Sequence, residues 1–154
     1  EIMPSLVGSE MCIRDSTLGA DYAFNPLEKP LDVQLRDTLG IAGAQVVIEC
    51  VGKTFATQQA VSAADKGATV LLFSVPQAGA EYGLPLFEVY QKELTVKGSF
   101  INPDTHQKAV NLINSGKIKT APLITHQYPL SQLEAALFKQ MDSDSIKVQV
   151  LPQE

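Results

Sequence analysis

Few residues in this sequence have the chemistry to take part in a reaction, and they are widely spaced. The cysteines, Cys12 and Cys50, and the histidines, His106 and His126, lie far from one another along the chain. Two thiols cannot form a disulfide framework or a zinc site of four thiolates. The motifs G-x-G-x-x-G, G-x-x-x-x-G-K-[ST], C-x-x-C, H-E-x-x-H and G-x-S-x-G are all absent from the sequence. We therefore expect an exposed His106 and a hydrogen-bonded, structural His126 at a strand end, with neither of them catalytic or a metal ligand.

The ends of two apolar runs are better candidates. Residues 46–48 and 68–73 show no polar alternation, which is typical of parallel strands covered on both faces. They end in the sequences ECVG, at residues 49–52, and FSVP, at residues 73–76. Ligands of open parallel sheets bind beyond the carboxyl ends of the strands. A binding site is therefore expected at these two turns.

Each candidate residue also has a plainer structural interpretation. Gly52 lets the backbone approach a ligand closely, or it forms an ordinary strand-to-helix turn. Ser74 bonds a ribose or caps the next turn. Cys50 fits a small buried hydrophobic residue better than a nucleophile, because no base is near it in sequence. Lys147, in the last apolar stretch, reaches a phosphate or is an exposed lysine of a strand.

Predicted strands and helices alternate along the rest of the chain. Strands are predicted at residues 20–24, 46–48, 68–73, 94–100, 122–126 and 146–150, and helices at 31–39, 55–66, 86–90, 103–115 and 132–141. This order indicates an α/β fold with a parallel sheet and crossover helices.

Local capping signals set the predicted helix ends. Pro30 and Gly40 bound the first helix. Thr54 is the predicted N-cap of the second helix, and Gly67 its end. Asn102 followed by proline predicts the start of a later helix, and the sequence SQLE at residues 131–134 predicts a capping box.

Composition excludes several classes of protein. The 154 residues are 45% hydrophobic and carry 12 Lys+Arg against 17 Asp+Glu, a formal net charge of -5. Nucleic acids and anionic membranes require a basic surface, so neither is an expected partner. No apolar run approaches the roughly 18 residues that cross a bilayer. We expect a soluble, reduced and cytoplasmic protein.

The first 16 residues show neither the helical nor the strand periodicity of hydrophobic residues. The sequence LVGSEMCIRDS at residues 6–16 resembles a translated sequencing adapter joined to a truncated reading frame. An ordinary flexible tail is the alternative. Residues 1–16 are expected to be non-native or disordered and are set aside.

From residue 18 to residue 152 the sequence resembles the C-terminal part of a medium-chain dehydrogenase/reductase. It is most similar to the zinc-type alcohol and polyol dehydrogenases, including the sorbitol and threonine dehydrogenase group. The matching stretches are LGADYAFNP, VVIECVGKTFATQQAV, KGATVLLFSVPQ, ELTVKGSFINPDTHQKAVNLINSGKI and PLITHQYPLSQLEAAL. Their order, rather than any single stretch, carries the resemblance.

The resemblance implies a hydride transfer between an alcohol and a ketone or aldehyde, with NAD or NADP as cofactor and a zinc ion that polarises the substrate oxygen. It implies a partial Rossmann-type parallel sheet, with the second half of the NAD(P)-binding domain at residues 17–100. Residues 101–154 would be a return segment that packs toward the catalytic domain.

In full-length members the glycine-rich turn, the acidic residue that selects NAD over NADP and the zinc ligands all precede the part that matches here. We therefore expect a fragment that is inactive as a dehydrogenase and binds NAD weakly, because the turn that holds the pyrophosphate is missing. Its uncovered sheet edges favour aggregation.

The resemblance assigns cofactor contacts to residues at three strand ends and to one lysine. The ribose would be contacted by Cys50, Val51 and Gly52, and the nicotinamide side by Phe73, Ser74 and Val75. The carboxamide would meet the backbone of Ser99 and Ile101. Toward the pyrophosphate would lie Lys147. Many members have glycine at the position of Ser74. The resemblance places no catalytic residue and no metal ligand in this chain.

Two alternatives stay open at this point. A zinc-independent medium-chain reductase would share most of the matching stretches, and a non-catalytic chain would bind a nucleotide or a partner through its half-sheet. The DNA upstream of the codon for Thr17 separates a fragment from a native start. The resemblance implies an alcohol or a polyol as substrate. It is compatible with either NAD or NADP as cofactor. A homo-oligomer through residues 81–90 is expected from the same resemblance.

Overall fold

The computed structural model describes residues 17–101, 103–142 and 144–153, so the expectation for residues 1–16 lies outside the described part of the chain. The described residues fall into two compact units. One is Phe24–Ile101, and the other combines the described residues up to Ala23 with those that follow Ile101. Each unit has its own parallel sheet.

The unit Phe24–Ile101 is built around a three-stranded sheet in the order β1-β2-β3. Both neighbouring pairs of strands are parallel. Its elements, in chain order, are α1 (Leu31–Leu39), β1 (Ala44–Glu49), α2 (Thr54–Ser62), β2 (Ala64–Leu72), α3 (Leu86–Lys92) and β3 (Thr95–Gly98). This confirms the predicted α/β fold with a parallel sheet.

A cluster of small apolar residues holds α2 on the sheet. Ala60 of α2 is buried together with Ala64, Ala68 and Val70 of β2. Alanine side chains are short, so the helix backbone can lie close to the strands. These four side chains are thereby removed from water, which stabilises the unit by roughly 25 cal/mol per Å² of buried apolar surface.

Strand β1 is an edge of the described sheet and is incompletely covered. Val46 is 65% exposed and Ile48 is 55% exposed, so the prediction that both faces of this strand are covered is wrong. The apolar sequence predicted a covering layer on each face of β1. In the described chain β1 is an edge strand that pairs with β2 alone. An uncovered apolar edge of this kind favours association with other strands.

The second unit repeats the strand-helix-strand pattern on a smaller scale. Its elements are α4 (His106–Asn114), β4 (Ile124–Pro129), α5 (Leu133–Lys139) and β5 (Lys147–Leu151), with short 3-10 turns at Ala121–Leu123 and Leu130–Gln132. Strands β4 and β5 run parallel. Ala136 of α5 is buried. The predicted final strand is confirmed.

Several predicted element ends are wrong because tertiary pairing overrides local signals. Residues 20–24 belong to neither sheet, since an apolar run becomes a strand only by joining a ladder. Helix α2 ends at Ser62, and β2 begins at Ala64, where it pairs with Ala44. Gly67 therefore lies inside β2 with a φ of 71° instead of ending a helix.

The predicted N-cap at Thr54 and the predicted capping box are also wrong. Thr54 is the first residue of α2, and Lys53 stands at the N-cap without a side-chain cap bond. Helix α4 begins at His106, and the predicted cap Asn102 lies outside the described residues. The capping box does not form, because a 3-10 turn places Gln132 at the N-cap of α5. By contrast, Pro30 and Gly40 bound α1 as predicted.

Candidate functional site

Three turns at the carboxyl ends of the parallel strands form one edge of the Phe24–Ile101 unit. Backbone hydrogen bonds tie each turn to the neighbouring strand. The N–H groups of Phe73 and Ser74 donate to the Glu49 carbonyl oxygen at 3.0 and 3.1 Å. The N–H of Ser99 donates to the Leu72 carbonyl oxygen at 3.0 Å. Eight of the predicted contact residues therefore lie at three adjacent strand ends.

The Glu49 side chain joins the first two turns. It lies at the end of β1 and is only 5% exposed. Its Oε1 accepts the N–H groups of Val51 at 2.6 Å and Gly52 at 2.7 Å. Its Oε2 accepts the hydroxyl of Ser74. A carboxylate is stable in such a place only when donors surround it, and these three bonds provide them.

Burial alone would raise the pKa of Glu49, because it penalises the charged form. The hydrogen bonds from the Ser74 hydroxyl and from the N–H groups of Gly52 and Val51 act in the opposite direction. Together they hold the pKa of Glu49 below its ordinary value of 4.5. Glu49 is therefore a carboxylate at neutral pH, and it acts as an acceptor only.

Acid is expected to weaken the fold through this group. Because the folded pKa is lower than the unfolded one, the folded state binds fewer protons. The stabilisation is therefore complete above the ordinary value of 4.5 and is lost as the pH falls through the lowered pKa. Urea unfolding at a series of pH values measures this. The Glu49→Gln variant, which has no proton to take up, should lose less stability in acid; an identical acid dependence in both proteins contradicts the assignment.

Gly52 occupies the closest approach between the turns after β1 and β2. Its φ is +75°, and a Cβ placed on it would lie 2.9 Å from the carbonyl oxygen of Val75. Residues with side chains rarely adopt a positive φ, and real Cβ atoms do not approach an oxygen so closely. The local fold thus requires glycine here whether or not a ligand lies against it.

The outer side of the three turns is apolar and open to solvent. Val51 is 60% exposed, Val75 is 93% exposed and Ile101 is 72% exposed. Phe73, on the same turn as Val75, is also exposed. Exposed apolar side chains on successive strand ends offer a surface on which a flat ring can pack. The sequence contains no glycine-rich turn of the form G-x-G-x-x-G.

The remaining predicted residues have different surroundings. Cys50 is exposed, so the expectation of a small buried hydrophobic residue is wrong; the chain leaves the sheet one residue earlier, at the end of β1. Ser99 is exposed after β3. Lys147 belongs to the other compact unit, where it is the exposed first residue of β5 and pairs with Ile124.

The histidines do not form a reactive cluster in the described chain. His106 is the exposed first residue of α4, as predicted. His126 lies within β4 rather than at a strand end. Its Nε2 is 3.9 Å from an Asp144 carboxylate oxygen, and its Nδ1 has no hydrogen-bond partner among the described residues.

No zinc centre fits the part of the chain that the structure describes. Residues 17–101, 103–142 and 144–153 contain no group of three or more His, Cys, Asp or Glu side chains that could hold a metal ion. The same residues contain no helix long and apolar enough to span a lipid bilayer.

Glu49 is the residue of this site whose role the sequence did not reveal. It was part of the predicted strand end, but without a function. The available signal was a carboxylate directly after three apolar β-branched residues, with glycine three positions later. A carboxylate that directly follows a buried strand needs hydrogen-bond donors close to it in the chain. A turn that contains glycine presents backbone N–H groups as such donors.

Comparison with known proteins decides the family. A family model described as zinc-binding dehydrogenase matches residues 15–115. The chain belongs to the zinc-binding dehydrogenase family. The predicted resemblance to zinc-type alcohol and polyol dehydrogenases is thereby confirmed, and with it the Rossmann-like α/β fold.

The relatives of this chain include sorbitol and L-threonine dehydrogenases. Sorbitol dehydrogenase of Halalkalibacterium halodurans is 30% identical over 88% of this chain and 39% of its own length. L-threonine 3-dehydrogenase of Symbiobacterium thermophilum is 32% identical over the same shares, 88% and 39%. A zinc-binding dehydrogenase of Sinorhizobium meliloti, solved bound to NADP, matches with a TM-score of 0.84 and 28% identity, covering 94% of this chain and 43% of that one. The chain thus spans about two fifths of the length of these proteins.

Proposed function

We propose that this chain supplies the nicotinamide side of the cofactor site in an NAD(P)-dependent alcohol or polyol dehydrogenase. Its membership in the zinc-binding dehydrogenase family supports the reaction class. The observation that carries the proposal is the linked edge of three strand ends, which exposes Val51, Val75 and Ile101 side by side in strand order. The bound NAD(P) would accept or donate the hydride that passes between alcohol and ketone or aldehyde.

The contacts in this proposal are those that the resemblance assigns. The ribose would contact Cys50, Val51 and Gly52. The nicotinamide side would contact Phe73, Ser74 and Val75, and the carboxamide would contact Ser99 and Ile101. Lys147 would lie toward the pyrophosphate. The apolar side chains would exclude water from one face of the nicotinamide. The backbone after β3 would meet the carboxamide through groups other than the Ser99 N–H, which already donates to Leu72.

The proposal extends to organisation and partners. Residues 17–100 would be the second half of an NAD(P)-binding domain, and residues 101–154 the segment that returns toward a catalytic domain. The substrate would be a small alcohol or polyol. Residues 81–90 would join copies of the chain, since Leu86, Phe87 and Tyr90 are each more than 70% exposed. A reduced, cytoplasmic location completes the proposal.

Calorimetric titration of the 154-residue polypeptide tests the cofactor assignment. We expect NAD⁺ to bind with a Kd on the order of 1 mM, because the sequence contains no G-x-G-x-x-G turn to hold the pyrophosphate at a helix N-terminus. Nicotinamide mononucleotide should bind within about threefold of NAD⁺, and AMP at least about tenfold more weakly, since the proposed contacts lie on the nicotinamide half.

Two results contradict this proposal. Micromolar binding of NAD⁺ would show that the polypeptide holds the pyrophosphate by other means. Tighter binding of AMP than of nicotinamide mononucleotide would place the site on the adenine half of the cofactor.

A further inference from the structure

The hydroxyl of Ser74 is already committed to a partner inside the protein. It donates to Oε2 of Glu49, 25 residues earlier in the chain. A serine hydroxyl has a single proton to donate. While this bond exists, Ser74 can only accept a hydrogen bond from a ligand, and the expected donation to a ribose oxygen is not available.

We propose that Glu49 and Ser74 are a positioning pair, which holds the turn after β1 against the turn after β2 and so shapes the surface for the nicotinamide half of the cofactor. This inference rests on the proposed function and deepens it. Ser74 then acts through Glu49 and can contact the ligand only as an acceptor, while the apolar contacts come from the exposed neighbours Val51 and Val75.

The two oxygens of one carboxylate carry the link between the turns. Oε1 binds the N–H groups of the first turn, at Val51 and Gly52, while Oε2 binds the side chain of the second turn. Removal of the Ser74 hydroxyl leaves the first turn capped but detaches the carboxylate from the second turn. The distance between the apolar side chains of Val51 and Val75 is then no longer held by this bond.

A pocket open to solvent borders the turns. Its volume is about 310 Å³, and Glu49, Gly52 and Ser74 line it together with the beginning of α2 and residues 76–84. Side chains packed behind a turn normally hold it in place. On the side of this pocket the turns are less tightly packed, so the hydrogen bonds of Glu49 contribute more to their position. A surface that is already ordered binds its ligand more tightly, because less freedom is lost on binding.

The test compares three variants of the full 154-residue chain. Ser74→Ala removes the hydroxyl, and Ser74→Thr keeps it. Gly43→Ala is the matched control at the other end of the same strands, where an added Cβ would lie 2.6 Å from the Asp65 backbone nitrogen and so lower stability far from the turns. Titration with nicotinamide mononucleotide, followed by ¹H–¹⁵N NMR under conditions where all variants are folded, gives each affinity.

We expect Ser74→Ala to weaken binding about tenfold, the effect of one hydrogen bond to a charged group. Ser74→Thr should stay within about twofold of the parent, and Gly43→Ala should bind as the parent does although it is less stable. Parent-like binding by Ser74→Ala overturns the inference. Equal losses in Ser74→Ala and Gly43→Ala overturn it too, because they would reflect general destabilisation.

Amide hydrogen exchange separates this inference from the proposed function. If the parent chain binds neither nicotinamide mononucleotide nor NAD⁺, the cofactor proposal fails. The pairing is then judged in the ligand-free chain, where Ser74→Ala should speed exchange at Gly52 and Phe73, whose N–H groups both donate to Glu49, relative to Gly43→Ala. Unchanged exchange at these amides overturns the pairing. If Ser74→Ala does not fold, Ser74→Cys, which keeps the size but is a weak donor, takes its place with the same two outcomes.

Discussion

Replacement of Glu49 by alanine is expected to lower the free energy of unfolding by about 3 kcal/mol. The variant removes a buried acceptor and leaves the N–H groups of Val51 and Gly52 and the hydroxyl of Ser74 without it. Buried donors that lose their partner cost more than the net value of the bonds themselves. Urea denaturation at pH 7, followed by circular dichroism, measures the loss.

Glu81→Ala is the matched control for this prediction. Glu81 lines the same cavity as Glu49 but is exposed, so its replacement should change stability by no more than about 0.5 kcal/mol. Equal effects of the two replacements would show that the carboxylate of Glu49 does not hold the turns. A large loss confined to Glu49 supports its place at the centre of this edge.

Gly52→Ala is expected to destabilise the chain by about 2 to 4 kcal/mol. Part of the loss comes from the φ of +75°, and part from the contact at 2.9 Å between the new Cβ and the Val75 carbonyl oxygen. Gly67→Ala separates the two contributions. Gly67 has a similar φ of +71° but nothing within 4 Å of its added Cβ.

The Gly67 control should therefore lose only the backbone part, about 1 kcal/mol. Both variants are measured by the same urea denaturation. If Gly52→Ala and Gly67→Ala lose the same amount, the close approach of the two turns is not present in solution. The difference between them reports the packing of the first turn on the second.

Local signals predicted those elements that depend on local interactions. Helix α1 begins after Pro30 and ends before Gly40, which adopts a left-handed conformation with a φ of 69°. Pro30 and Gly40 act locally, because each of them lies directly at one end of this helix. The end of α2 was predicted wrongly because Gly67 has the conformation that ends helices, yet the pairing of Ala44 with Ala64 draws this stretch into β2.

The sequence predicted that the strand ends would be neighbours, but it did not predict the hydrogen bonds that join them. A parallel sheet brings the ends of its strands to one edge, so residues 50–52 and 73–75 could be expected to be neighbours. The role of Glu49 depends on Ser74, which follows 25 residues later, and no local pattern encodes that bond. The exposure of Cys50 likewise depends on where β1 ends, a boundary that sequence patterns fix to within a few residues only.

The most direct measurement of the central claim is a map of backbone amide shifts in the ¹H–¹⁵N NMR spectrum as NAD⁺ is added to the 154-residue chain. We expect the largest shifts at residues 50–52 and 73–75 and at Ser99 and Ile101, at the ends of β1, β2 and β3. Shifts that spare these three turns and fall instead on α1 or on the strand β4 would contradict this claim.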